Sequence, residues 1–184
     1  MRSTAAGNPT VVRGDGRATV SWSAPDSDGG SVITSYTVTV NVVESGVTYS
    51  VPTDDGASTT KLITNLDNGK EHTFKVSATN DDGTSELSAE SDAVVPARKP
   101  GQVGAPTVSF ETVDGEVQAT ISWAFPADNG GLDVTRFDVA PTCGTGTASQ
   151  VNVGDSSVCD ITSKQCTTTL NLPLGTVCAV NTRS

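Results

Sequence analysis

Two tryptophans 101 residues apart, Trp22 and Trp123, stand in matching frames and divide this chain into two copies of one plan. From Trp22 the sequence reads WSAPDSDGGSVITSY, and from Trp123 it reads WAFPADNGGLDVTRF. Pro25 falls on Pro126, Gly29 and Gly30 on Gly130 and Gly131, and Tyr36 on Phe137, without a gap. A tryptophan ending an alternating strand, then a Pro/Asp/Gly loop, then an alternating strand carrying an aromatic is the pattern of a small β-sandwich. At 184 residues the chain holds two such sandwiches. Aromatic residues make up only 4%, so each tryptophan must anchor its own core. Burial of ~150–250 Å² at ~25 cal/mol/Å² is worth about 4 to 6 kcal/mol per tryptophan. The core anchors expected are Trp22, Tyr36 and His72 in the first half and Trp123 and Phe137 in the second.

The fold class expected is all-β. Period-two runs of Val, Ile, Thr and aromatic residues predict strands near Thr10–Arg13, Arg17–Ser23, Ile33–Val43, Thr48–Val51, Lys61–Asn65, Glu71–Thr79 and Ser91–Val95. The second half repeats the plan through Thr107–Glu111, Val117–Phe125 and Val134–Ala140. Between the halves, prolines at 96, 100 and 106 stiffen a Pro/Gly stretch. The division expected is a domain over 1–96, a linker over 97–106 and a second domain over 107–184.

The residues that carry a family likeness are GDGRATVSWSAP at 14–25, GGSVITSYTVTV at 29–40 and LDNGKEHTFKVSATNDDGTSELS at 66–88. Over residues 7–96 the chain resembles a fibronectin type III module, and the second half resembles a divergent one. The resemblance implies two immunoglobulin-like sandwiches in tandem. It also places His72 where members of the family carry the tyrosine of the corner motif, whose side chain bonds back to the preceding loop.

The second copy departs from the first in two ways. From tryptophan to the following corner leucine it runs 22 to 66 in the first copy and 123 to 172 in the second, so five residues have been added. The addition lies among Cys143, Cys159 and Cys166. Setting Leu66 and Gly69 on Leu172 and Gly175 puts Cys178 at the His72 position, whereas setting Ala78–Asn80 on Ala179–Asn181 does not; the sequence leaves both open. In a sandwich of the implied topology the cysteines pair as Cys143 with Cys178 and Cys159 with Cys166. The last strand of the second sandwich has no counterpart before Ser184. It is expected to come from the chain's own continuation or from a neighbouring copy that donates a strand, for example its Arg2–Val12.

Function classes narrow by exclusion. A net charge of −10 with carboxylates scattered through turns is opposite to the basic stripe that binds nucleic acid, so no nucleic-acid partner is expected. No apolar run approaches the ~18 residues of a membrane span, so no membrane insertion is expected within this segment. The start, MRSTAAGNP, lacks the apolar core of a signal peptide, so either the chain is a piece of a longer protein or its signal was removed. Four cysteines confined to one small β module favour export and disulfides over zinc, since no CxxC pair occurs. The single histidine, His72, has no partner that would make a nucleophile or a metal site, so no enzyme activity and no cofactor are expected. Asp26-Ser27-Asp28-Gly29 opens like a calcium loop but lacks the closing glutamate, and reads as a turn. Arg13-Gly14-Asp15 spells an integrin-recognised tripeptide and is the adhesion candidate, although Gly-Asp-Gly here is also ordinary turn chemistry. The function expected is a non-catalytic extracellular structural, adhesion or assembly module of a larger surface or filament protein, acting through protein–protein contacts. The alternatives are an accessory spacer of a secreted carbohydrate-active enzyme and a fragment of a receptor ectodomain.

Overall fold

In the computed structural model, residues 1–142, 149–152, 158–172 and 179–183 are described. They form strands and connecting loops, with no helix among them, and fall into two units, Met1–Arg98 and Lys99–Ser184.

Unit 1 contains β1 (Thr10–Gly14), β2 (Arg17–Ser21), β3 (Ser35–Val42), β4 (Val47–Pro52), β5 (Thr60–Thr64), β6 (His72–Asn80) and β7 (Gly83–Thr84). One sheet has the order β1-β2-β5 and the other β4-β3-β6-β7. Strict alternation decides which face of each strand is inside. Ala18 and Val20 of β2 and Ile63 of β5 meet Tyr36, Val38 and Val40 of β3 and Phe74, Val76 and Ala78 of β6 in one buried cluster with Trp22. The intervening residues Thr37, Thr39 and Asn41 turn outward. The β1–β2 hairpin closes at Asp15-Gly16, where Gly16 takes φ 60°, a left-handed conformation that glycine adopts without a Cβ clash.

The expected closing strand Ser91–Val95 is replaced by a different structure. Ladder pairing there is confined to the single bridge between His72 and Val94. Upstream of it, Ser85, Ser88 and Ser91 each donate a backbone N–H to β6, at the carbonyls of Ala78, Val76 and Phe74. Three residues of this segment advance past two residues of β6. It therefore rises about 2.2 Å per residue where a strand rises about 3.3 Å, and it cannot form a regular ladder.

Unit 2 contains β8 (Thr107–Val113), β9 (Glu116–Ala124), β10 (Arg136–Thr142), β11 (Ser149–Asn152), β12 (Cys159–Asp160), β13 (Gln165–Leu172) and β14 (Ala179–Arg183). Its sheets have the orders β12-β13-β9-β8 and β11-β10-β14. Val103, Ile121, Trp123, Val134, Phe137 and Val139 pack together with Cys159 and Cys166.

The proline-rich stretch is anchored at each end to the unit beside it. Pro96 is buried in unit 1, where its carbonyl accepts from Gly69 N–H at 3.0 Å and Ala97 N–H donates to Gly14 O at 3.1 Å. Within unit 2, Gly101 N–H donates to Asp128 O at 2.8 Å, and Val103 sits in the core.

Candidate functional site

The aromatic anchors repeat their geometry. Trp22 and Tyr36 lie 5.3 Å apart between ring centroids, tilted by 60°, and Trp123 and Phe137 lie 5.6 Å apart at 74°. All four are buried, and neither indole Nε1–H has a hydrogen-bond partner among the described residues. The tryptophans therefore act as apolar mass. His72 is 2% exposed, with Nδ1 2.9 Å from the carbonyl oxygen of Lys70. A carbonyl only accepts, so Nδ1 carries the proton. The ring thus ties β6 back to the loop that enters it.

The Arg13-Gly14-Asp15 tripeptide is sewn into the base of unit 1. Arg13 and Gly14 belong to β1, paired with Ala18 and Arg17. The Arg13 guanidinium donates to Val95 O at 3.3 Å, Gly14 O accepts from Ala97, and an Asp15 carboxylate oxygen accepts from Asn68 Nδ2 at 2.8 Å. Asn68 also accepts from Gly16 N–H at 2.8 Å through its own Oδ1. Arg13 and Gly14 are held in the strand ladder, and Asp15, in the hairpin turn, is held by Asn68 of the loop between β5 and β6.

The two aspartate-rich loops are turns. Asp28 accepts from Gly30 N–H and Asp128 from Gly130 N–H, each at 2.8 Å, so each carboxylate folds its own loop. No group of three or more His, Cys, Asp or Glu side chains placed to hold a metal ion occurs among the described residues.

The feature that pattern reading missed is a serine ladder. The amides of Phe74, Val76 and Ala78 donate to Ser91 Oγ, Ser88 Oγ and Ser85 Oγ at 3.1, 3.0 and 3.0 Å. Each serine hydroxyl in turn donates to the carbonyl of the residue that follows it, at 2.8 Å. All three serines are buried. The S-x-x-S-x-x-S spacing is visible in the sequence, but it matches neither the strand nor the helix period.

In unit 2, Cys159 and Cys166 are joined by a disulfide across the β12–β13 hairpin. Cys143 and Cys178 lie outside the described residues. The hairpin turn is organised by Asp160, which accepts from Ser163 Oγ at 2.7 Å and from the amides of Thr162 and Ser163 at 2.8 and 3.3 Å. The Ser163 hydroxyl first, and then the two amides, hold its carboxyl below the ordinary aspartate value. Lys164 closes this turn with φ 57° and places Nζ over the Phe125 ring, 5.4 Å from its centroid. Phe125, Pro126, Asp133, Val134, Ile161 and Lys164 line a cleft of about 600 Å³ beside it.

The fibronectin type III domain family matches residues 5–94. Among solved structures, the FN1–FN3 segment of chicken CNTN1 superposes over 98% of this chain and 60% of its own, with 19% identity and a TM-score of 0.50. A two-domain fibronectin type III segment of chicken tenascin covers 96% of this chain and 89% of its own at 19% identity, with a TM-score of 0.45. A titin segment is 25% identical over 51% of this chain and 32% of its own, with a TM-score of 0.48. No curated protein sequence matches the chain.

Proposed function

Residues 5–94 are a fibronectin type III domain and the second unit has the same sandwich fold, and from that premise we propose that the chain is a non-catalytic, tension-bearing spacer of a larger exported protein. The observation that carries this reading is the way unit 1 secures its two ends. Its last segment is fastened to β6 by three N–H···O=C bonds, three N–H···Oγ bonds and the two bonds of the His72–Val94 bridge. Its first residues are fastened to the loop after Trp22, with Gly7 N–H on Ser23 O and Thr4 N–H on Ser27 O. A pull on the chain ends loads the antiparallel bonds to β6 in shear, so they share the force and must fail together. Forced unfolding is governed by that barrier, so extra bonds along the terminal segment translate into resistance. Export is supported by the Cys159–Cys166 disulfide, a bond that persists in oxidising compartments. The partners of such a spacer are other proteins, reached through the sheet faces and loops.

Single-molecule pulling of the whole chain tests the reading. The first unit is expected to unfold at a distinctly lower force in Ser88→Ala than in the wild type, with the second unit unchanged. Equal forces for the first unit in the two proteins would remove the support.

A further inference from the structure

The serine ladder of unit 1 also builds one wall of a groove. Its period of three turns Ser85, Ser88 and Ser91 toward β6 and sets Leu87 and Glu90 in one column, and both of these line a groove of about 410 Å³. The floor belongs to the sheet. Thr48 of β4, Asn41 of β3 and Thr73 of β6 are cross-strand partners in one row, and Thr39 and Lys75 are partners in the next. Their neighbours Val40, Phe74 and Val76 point into the core, so these side chains stand on the outward face of the sheet.

The polar groups of this groove are held in place and only partly used. Thr73 is 8% exposed, and its hydroxyl donates to Glu90 Oε1 at 2.7 Å while accepting from Asn41 Nδ2 at 3.1 Å. That relay fixes the Glu90 carboxylate and the Asn41 carboxamide, and it leaves Glu90 Oε2 and Asn41 Oδ1 as acceptors without a partner among the described residues. The hydroxyls of Thr39 and Thr48 and the Lys75 ammonium likewise make no hydrogen bond or ion pair among the described residues. Glu90 and Lys75 bring one charge of each sign, so the groove is close to neutral on a chain whose net charge is −10. Leu87, half-exposed, adds an apolar lip.

We infer that this groove binds a neutral pyranose, the terminal sugar residue of a glycan. A sugar hydroxyl both donates and accepts, so adjacent hydroxyls can meet the free Glu90 oxygen, the Lys75 ammonium and the threonine hydroxyls together. An anionic ligand is opposed by Glu90 and a cationic one by Lys75. A divalent cation would find one carboxylate in the lining, too few oxygen ligands of that charge to hold it. The volume lies toward the lower end of the ~300–1,000 Å³ of small-ligand sites, which suits a single ring with its C–H face against Leu87 and the threonine methyls. Because the Asn41–Thr73–Glu90 relay is already formed, little ordering remains to oppose binding. The inference goes beyond the spacer role and does not depend on it: sugar binding and forced unfolding are read separately, and either can fail alone.

Titration of the isotope-labelled intact chain with the methyl glycosides of glucose, galactose and mannose, followed through its amide resonances, tests it. At least one glycoside is expected to shift the amides of Thr39, Asn41, Thr73, Lys75 and Glu90 in a saturable way, with those of unit 2 unmoved. Glu90→Ala should weaken that binding by about tenfold, the scale of a hydrogen bond to a charged group, and so should Lys75→Gln, which breaks no bond of the fold. Thr37→Ala, on the same outward face but outside the groove, should leave it unchanged. Glucuronate and glucosamine, the charged comparators, should bind no better than the neutral glycosides. A chain that none of the glycosides perturbs overturns the proposal, as do shifts that do not saturate, affinity that survives Lys75→Gln, equal weakening by Thr37→Ala, or a clear preference for either charged sugar.

Discussion

Ser88 and Val76 exchange two hydrogen bonds: the Ser88 amide donates to Val76 O at 2.8 Å, and the Val76 amide donates to Ser88 Oγ at 3.0 Å. A side-chain hydroxyl thus stands where a regular strand would offer its carbonyl. Ser85 and Ser91 do the same for Ala78 and Phe74, and at the fourth step Val94 returns to a backbone carbonyl for His72. Four contacts in the three-to-two rhythm leave every inward-bonding group of β6 satisfied, which a buried strand requires.

Ser88→Ala should therefore cost more than a surface change. It leaves the N–H of Val76, a residue that is 0% exposed, without its acceptor, a loss of about 1 to 3 kcal/mol. Glu86→Ala, two residues away and exposed, should stay within about 0.5 kcal/mol. Denaturant titration of both variants checks this, and equal midpoints would deny the ladder a share in stability.

The Cys159–Cys166 disulfide closes a loop of separation 7, for which the chain-entropy relation gives a stabilisation of roughly 2.4 kcal/mol. The double variant Cys159→Ser/Cys166→Ser should lower the melting transition of unit 2 by a corresponding amount and leave that of unit 1 in place. A calorimetric scan in which both transitions move together would show that the units do not unfold separately.

The sandwich plan was legible because it is written in two strong signals, strand alternation and the tryptophan frame. Trp22 and Trp123 bury their rings against Tyr36 and Phe137, and the fold follows from which alternate residues must be inside. The serine segment was not legible, because its period of three belongs to neither standard element and acquires meaning only opposite β6. The tripeptide Arg13-Gly14-Asp15 straddles the end of β1 and the hairpin turn, as its Gly-Asp-Gly chemistry suggests, and only the structure shows that its side chains are engaged by Val95 and Asn68.

Asp160 gives unit 2 an acid-sensitive turn. Its folded carboxyl ionises more readily than an unfolded one, so it contributes stability above the unfolded value, and that contribution is lost as the pH falls through the lower, folded value. Asp160→Asn keeps an acceptor for Thr162 N–H and removes the charge. The difference in unit 2 melting temperature between wild type and variant should be full at neutral pH and shrink as the pH drops below about 4. A difference that stays constant down to strongly acid pH would place the stabilisation elsewhere.

Integrin-type recognition needs the arginine and aspartate side chains presented together on an exposed turn. Here Arg13 reaches Val95 O, Gly14 is paired in β1, and Asp15 is engaged by Asn68. Asn68→Ala would free the carboxylate but leave Arg13 and Gly14 in the strand, so releasing one contact does not create the presented tripeptide. Cells plated on the wild-type chain, or on the Asn68→Ala variant, should show no adhesion that a soluble Arg-Gly-Asp peptide abolishes. Adhesion that the peptide blocks and that disappears in Asp15→Ala would mean the base of unit 1 opens far enough to be read, and the spacer role would then include a cell-binding one.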